Sequence, residues 1–197
     1  TTQNTSVTYT SAGVKTITLT VANGSGTTTA TKSITITATP TVVASITNTT
    51  ICNGGSVVEN LTGATTYTWL PSGSGATSTL SPTSTTIYTI TGSTSGCTSA
   101  VRNVTVIVTP NPTVNITASS ATICAGQSST LTASGATTYA WLPGGQTTAS
   151  IVVTPTANTT YTVNGSNGTC SSSKTISINI TATPTVVTSI TNTTICS

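Results

Sequence analysis

An internal repeat of about 72 residues constrains this chain more than any other feature. The segment from Cys52 to Cys97 recurs between Cys124 and Cys170 with its landmarks in the same order. These landmarks are a Thr-Ile-Cys start, a Gly-Ala-Thr-Thr-Tyr-x-Trp-Leu-Pro segment, a Tyr-Thr pair and a second cysteine. Residues 182–196 then match residues 38–52 with one substitution. Such a period indicates a row of small modules, because one period cannot build a larger core.

The repeat divides the chain into four segments. Thr-Pro sequences stand at the junctions, where proline ends the last strand of one module and stiffens the connection to the next. Because both ends cut through modules, we expect the sequence to be part of a longer polypeptide. The segments are 1–38, the C-terminal half of a β-domain; 39–109, the first complete module; 110–182, the second; and 183–197, the start of a third.

Alternation of apolar and polar residues predicts an all-β fold. Val104, Val106 and Val108 alternate in the last strand of the first complete module, and three isoleucines do so in the second. No segment has helical periodicity. In residues 1–38, an Asn23-Gly24 turn joins two alternating runs, so we expect a hairpin whose inward-facing residues are Ile17, Leu19 and Val21. The six strands expected in the first complete module lie near 41–47, 56–61, 65–70, 77–81, 86–92 and 99–108.

The composition argues against catalysis and against bound cofactors. Glu59 is the only carboxylate, and the chain has neither histidine nor aspartate. Hydrolases need paired carboxylates or a nucleophile with a basic partner. Calcium needs several carboxylate or carbonyl oxygens, and zinc needs clustered cysteine or histidine. We therefore expect no enzyme activity, no cofactor and no metal site.

Charge and hydropathy also narrow the range of partners. The net charge of +3 comes from four scattered cations, which form no basic face for nucleic acid. No apolar run approaches the 18 residues of a membrane-spanning helix, so we expect no membrane insertion by this segment. Paired cysteines in small modules indicate an oxidising, extracellular compartment.

Two interpretations of the repeated aromatic residues remain open. Tyr67 and Trp69 lie two positions apart on one strand and so share a face, where they could form a platform for sugar or part of the core. The core is favoured, because a chain without phenylalanine has few other large groups to fill a sandwich. The aromatic residues assigned to the core are Tyr67, Trp69, Tyr88, Tyr139, Trp141 and Tyr161.

The repeated landmarks resemble a known family. They are Ile51-Cys52-x-Gly54, Tyr67-x-Trp69, Tyr88-Thr89 and Gly96-Cys97-Thr98, with Ile123-Cys124-x-Gly126, Tyr139-x-Trp141, Tyr161-Thr162 and Cys170 in the second copy. With them, the modules resemble the immunoglobulin-like repeats of very large surface proteins of gliding and adhesive Bacteroidota, often exported by the type IX system. Residues 7–36 resemble the C-terminal half of a polycystic kidney disease (PKD) repeat. The resemblance implies tandem immunoglobulin-like β-sandwiches at the cell surface.

The resemblance, together with the constant spacing, favours disulfides within each module. These would join Cys52 to Cys97 and Cys124 to Cys170, with Cys196 pairing outside the chain. The alternative joins Cys97 to Cys124 and Cys170 to Cys196, and so links neighbouring modules. With six strands, both cysteines of a module fall at the same end of the sandwich. A seventh strand would reverse this parity.

Glu59 conflicts with the alternating pattern of its strand. It aligns with Leu131, so strict alternation directs the only carboxylate into the core. Burying an ionised carboxylate costs several kcal/mol unless it is paired. Either a β-bulge turns the side chain outward or Arg102 reaches it; we expect an exposed side chain.

The leading functional hypothesis is a structural segment of an extracellular filament or of a cell-surface adhesin stalk. Edge strands without charged residues favour association with neighbouring repeats and with other copies of the chain. The alternative is a glycan- or surface-binding module, which needs exposed tryptophan. Ice binding is suggested by Thr16-x-Thr18-x-Thr20, but twisted sheets present poor flat lattices.

Overall fold

The computed structural model describes residues 6–182 and 185–189. Its regular secondary structure in these ranges consists of β-strands, which confirms the all-β prediction. The chain separates into two compact units, with the boundary between Thr109 and Pro110. The first unit holds an N-terminal hairpin and a first module, here called module 1; the second unit holds module 2. The predicted start of a third repeat lies largely outside the described residues.

The N-terminal hairpin consists of β1 (Gly13–Asn23) and β2 (Gly26–Ile36). The strands are antiparallel and close through the Asn23↔Gly26 pair, where Ser25 N donates to Asn23 Oδ1 at 3.0 Å. Leu19 pairs with Ala30 on the apolar face, but Leu19 remains 62% exposed. Ile17 and Val21 are exposed as well, so the inward-facing expectation was wrong. No described strand joins this sheet.

Module 1 is built from two sheets. One has the order β3-β5-β7, and the other has the order β4-β10-β8-β6, with the short β9 attached to β8. Their strands are β3 (Val43–Ala44), β4 (Asn48–Cys52), β5 (Val57–Thr62), β6 (Thr66–Leu70), β7 (Thr77–Leu80), β8 (Thr86–Thr94), β9 (Cys97–Thr98) and β10 (Arg102–Thr109).

Alternation along these strands builds the core of module 1. Leu61 of β5 is buried together with Ile90 of β8 and with Val104 and Val106 of β10. Threonines occupy many of the intervening positions, where β-branched side chains suit the pleated surface. The apolar residues of the two sheets thus form one layer between them.

Module 2 repeats this arrangement with sheet orders β11-β13-β15 and β12-β17-β16-β14. Leu131, Val163 and Ile178 are fully buried between the sheets. Sheets of three and four strands enclosing one core make an immunoglobulin-like sandwich, as predicted. The strands are β11 (Asn115–Ala118), β12 (Thr122–Cys124), β13 (Ser129–Ser134), β14 (Thr138–Leu142), β15 (Ser150–Val153), β16 (Thr159–Ser166) and β17 (Ser171–Thr181).

The first predicted strand of module 1 is in fact two strands. β3 pairs with β5 in one sheet, whereas β4 pairs with β10 in the other sheet, in parallel. Between them, the Ser45 N–H still donates to the Asn60 carbonyl of β5 at 2.9 Å, and both this N–H and that of Ile46 reach a side-chain acceptor. The sandwich therefore has seven principal strands rather than six. With an odd number of strands, the chain leaves the module at the end opposite to the one at which it entered.

Because of the seventh strand, each module begins and ends at opposite poles. In module 1, Pro40–Val42 lie beside the start of β10, whereas Thr109 at its end pairs with Cys52. In module 2, the Ser172 hydroxyl donates to the Pro112 carbonyl near the start of β17, and Thr181 at its end pairs with Cys124. We call these ends the N-terminal pole and the C-terminal pole.

Candidate functional site

Both tryptophans are core residues. Trp69 is 5% exposed and Trp141 is fully buried. Each indole N–H donates to a backbone carbonyl at 3.0 Å, that of Gly75 for Trp69 and that of Thr148 for Trp141. Trp69 also packs edge-to-face on Tyr88, with ring centroids 6.4 Å apart. The indole rings are therefore not exposed for stacking on a sugar, and the aromatic-platform interpretation loses its support.

Tyr67 and Tyr139 hold equivalent turns. The Tyr67 hydroxyl accepts from Ala64 N and donates to the Ala64 carbonyl, both at 3.0 Å, and Tyr139 makes the same two bonds to Ala136. The glycine before each alanine has a positive φ, and at Gly63 an added Cβ would lie 1.9 Å from the Thr41 carbonyl oxygen. This close approach requires glycine.

Tyr161 occupies the position of Tyr88 in module 2. It is buried in the core cluster of that module. Burial disfavours the charged phenolate, so the pKa of Tyr161 is raised above its usual value of 10.0. This tyrosine stays neutral at physiological pH and acts as a large core side chain.

The cysteines lie at the poles of the modules. Cys52 and Cys124 are at the C-terminal poles, opposite Thr109 and Thr181 respectively. Cys97 follows β8 at the N-terminal pole of module 1, where its thiol lies 3.8 Å from the Thr37 carbonyl oxygen. Cys170 immediately precedes β17 and so lies at the corresponding pole of module 2. Each module thus carries one cysteine at each end.

The predicted disulfides within the modules are not formed. Cys97 and Cys124 are free thiols, whereas Cys52 and Cys170 are disulfide-bonded. Strand β10 separates the two cysteines of module 1 by roughly 20 Å or more at about 3.3 Å per residue, far beyond the about 7 Å that a disulfide spans. The six-strand parity was therefore the error. The alternative Cys97–Cys124 bond is also absent, and Cys196 lies outside the described residues.

Glu59 is fully buried, so the expectation of an exposed side chain was wrong. Its carboxylate accepts hydrogen bonds from Ser45 N at 2.6 Å, from the Ser45 hydroxyl at 2.9 Å and from Ile46 N at 3.1 Å. Ser45 Oγ in turn accepts from Asn60 N at 3.0 Å. Backbone donors therefore compensate the buried charge, and Arg102 does not.

Sequence reasoning missed Ser45 as the partner of Glu59 and missed the local structure around Arg102. The second omission had a signal in the sequence. Cys97 and Cys170 are offset by 73 residues, whereas Arg102 and Lys174 are offset by 72. Module 1 therefore has one extra residue just before Arg102, which is the signature of a bulge.

The described residues contain no group of three or more His, Cys, Asp or Glu side chains that could hold a metal ion. No helix in the described part of the chain is long and apolar enough to cross a membrane. The features left for a functional role are the two cysteine-bearing poles of each sandwich and the surfaces of the sheets, which carry very few charged residues.

Comparisons with solved structures return matches of low identity and low TM-score. No protein-family model and no curated protein sequence matches the chain. Among solved structures, the amphioxus IgVJ-C2 molecule is 15% identical with a TM-score of 0.33, over 67% of this chain and 100% of that one. The titin domains Z1Z2 in complex with telethonin are 12% identical with a TM-score of 0.31, over 76% and 100%. PcdhgB3 EC1-4 is 14% identical with a TM-score of 0.32, over 87% and 58%.

Proposed function

We propose that this chain is a structural, non-catalytic repeat segment of an extracellular filament or of a cell-surface adhesin stalk. The observation that carries the proposal is the polarity of each module. The chain arrives beside the start of the last strand and leaves at its end, in module 1 and in module 2 alike. Modules of this polarity can follow one another end to end, which is what a spacer requires.

The state of the cysteines supports the extracellular assignment. Cys52 and Cys170 are disulfide-bonded, and disulfides persist in oxidising compartments and are rare in the cytosol. Small modules also gain most from such bonds, because a core of this size leaves little stability in reserve. A stalk outside the cell would need the additional stability that a disulfide provides.

The edges of the sheets support association with other copies of the chain. β7 and β15 end their three-stranded sheets, and neither strand contains a charged residue. Natural edge strands usually carry lysine, proline or a bulge that deters pairing with another sheet. Edges without these features favour the lateral contacts that a filament needs.

Electron microscopy of engineered arrays tests the proposal. One sample is the 197-residue chain, and the other has residues 39–182 duplicated. The eleven residues of β17 span about 35 Å at about 3.3 Å per residue, so we expect each added module to lengthen the particle by about 30–40 Å. A duplicated array of unchanged length would contradict a spacer. Images of the native assembly that show only separate globular particles would contradict the filament.

A further inference from the structure

A groove at the N-terminal pole of module 1 has features that the structural role does not use. Its volume is about 220 Å³. One wall is the incoming segment Pro40–Val42, and the other is the segment Ser99–Arg102 at the start of β10. Pockets for drug-sized ligands are larger, at roughly 300–1,000 Å³. The groove therefore fits one small chemical group rather than an extended molecule.

The Arg102 side chain lines this groove and carries a positive charge. It shares the core-facing parity of Val104 and Val106, pairs with Ile90, and is itself partly buried. Its Nε is buried and has no hydrogen-bond partner among the described residues. A buried N–H without an acceptor costs about 1–3 kcal/mol, and more when the group is charged. Because Nε is itself closed to solvent, a ligand in the groove would reach the guanidinium at its other two nitrogens.

No carboxylate of this chain is free to form an ion pair with Arg102. Glu59 is the only acidic residue, and its carboxylate is already occupied by Ser45 and Ile46. The net charge of +3 adds a weak attraction for anions. An acceptor for Arg102 with a full negative charge must therefore come from outside these residues.

The groove is shaped by the bulge before β10. Ser99 N donates to the Gly92 carbonyl at 2.8 Å, and Gly92 N donates to Ser99 Oγ at 2.9 Å. The Ser99 hydroxyl also donates to the Ala100 carbonyl at 2.8 Å. These three hydrogen bonds fix the conformation of the loop that contains the extra residue, so the wall beside Arg102 has a defined structure.

Module 2 has no equivalent groove wall. There β17 runs without interruption from Ser171 to Thr181, and Lys174, at the position of Arg102, is exposed. An ammonium group is also a point charge that cannot form the planar, two-pronged contact of a guanidinium. The feature therefore belongs to module 1 alone.

We infer that this groove binds the carboxylate of a small acidic ligand, such as a hexuronic acid residue or a peptide C-terminus. The guanidinium forms charge-assisted hydrogen bonds to the carboxylate oxygens, and planar oxyanions match its fork. Pro40, Val42 and Val101 supply apolar surface for the carbon skeleton next to that group. This ligand binding is a second property of the chain, independent of its proposed role as a spacer.

Titration of the ¹⁵N-labelled full chain tests the inference. The probes are galacturonate, an N-acetylated dipeptide with a free C-terminus, and galactose as the neutral control, all at one ionic strength set with sodium chloride. We expect saturable shifts of the Val101 and Thr41 amides and of the Arg102 Nε–H, with a dissociation constant of about 1–10 mM for a single charge-assisted contact. A response to only one of the two acids identifies the source of the carboxylate.

Variants decide whether Arg102 carries the binding. R102Q should weaken it at least about tenfold, because the charged fork is lost. R102K keeps the charge and should still weaken it several-fold, which separates geometry from charge. K174Q removes the equivalent cation of module 2 and should change nothing.

Several outcomes would overturn the inference. They are an absence of saturable shifts, shifts that galactose or chloride reproduces, and binding by R102Q equal to that of the unaltered chain. The indole N–H signal of Trp69 reports whether module 1 remains folded in each variant. If R102Q unfolds, R102K decides alone, and undiminished binding by R102K would refute the two-pronged contact.

Discussion

Modules 1 and 2 share one architecture but complete one sheet in different ways. In module 2, β11 has four residues and continues to the Ala118↔Leu131 pair, where Leu131 is fully buried among apolar neighbours. In module 1, β3 ends at Ala44, and Glu59 occupies the position of Leu131. Glu59 is also fully buried. The same core position is therefore filled by packing in one module and by a hydrogen-bonded carboxylate in the other.

This difference shows that the alternation of a strand sets where a side chain points, and that local partners decide whether the position is tolerated. The Glu59 carboxylate accepts from Ile46 N, and it shares Ser45 N with the Asn60 carbonyl of β5, which lies 2.9 Å from that nitrogen. The backbone donors just beyond β3 and the buried acid therefore depend on each other. Leucine at one position and glutamate at the other are not interchangeable without the matching backbone.

The largest contrast that we predict concerns cysteines at equivalent positions. Under native, non-reducing conditions, a maleimide should label Cys97 and Cys124 completely, and should leave Cys52 and Cys170 unlabelled, because only free thiols react. Peptide mapping by mass spectrometry reads the four sites separately. The control is reduction in denaturant, after which all four should be labelled. Protection of Cys97 without reductant would contradict the structure.

Exchanging the residues that distinguish the modules should unfold module 2. L131E places a carboxylate in a core where the β11–β13 ladder already uses the neighbouring backbone donors, at a cost of several kcal/mol. Small domains have only about 5–15 kcal/mol of stability, so we expect hydrogen exchange to lose its protection in β13 and β16. L131M should cost less than about 1.5 kcal/mol. Equal protection in L131E and L131M would refute the distinction.

The reverse exchange should be less severe. E59L leaves the Ser45 hydroxyl and Ile46 N without their acceptor, whereas Ser45 N keeps the Asn60 carbonyl at 2.9 Å, so we expect a loss of about 2–4 kcal/mol from module 1. E59Q retains one carbonyl acceptor and should lose about 1–2 kcal/mol. Urea unfolding, followed through the two indole N–H signals, assigns each loss to its module. E59L more stable than the unaltered chain would show that packing alone suffices there.

The smallest expected effect is a dependence on alkaline pH in module 2. Burial raises the folded-state pKa of Tyr161 above its usual value of 10.0, so the folded state holds this proton more tightly than the unfolded state. That contribution is fully present below pH 10 and is lost as the pH rises through the folded pKa. Urea unfolding between pH 9 and pH 11.5, at roughly half-unit steps near the tyrosine pKa, should show a decline that Y161F reduces. Equal declines in both proteins would assign the effect to other groups.

Much of the architecture follows from features that are local in the sequence. The repeat predicts the modules, and the alternation of Val104 with Val106 predicts which face of β10 is buried. The Asn23-Gly24 pair predicted the β1–β2 hairpin, and the structure places its two-residue turn at Gly24-Ser25, between Asn23 and Gly26. The exposed apolar face of that hairpin did not follow. Its burial depends on whether a second sheet packs over it, which the alternation of one strand does not report.

The sequence by itself determined the β-sandwich class and the module period, because both depend on spacing along the chain. Alternation also directed Glu59 inward, but the usual preference of glutamate for the surface led to the wrong expectation of exposure. The tertiary structure decided how residues 41–52 divide between two sheets, since that depends on which partners satisfy the backbone N–H groups of Ser45 and Ile46. From that division come the seventh strand, the opposite poles and the separation of Cys52 from Cys97. A single crossing between sheets thus reversed the disulfide prediction while leaving the core pattern intact.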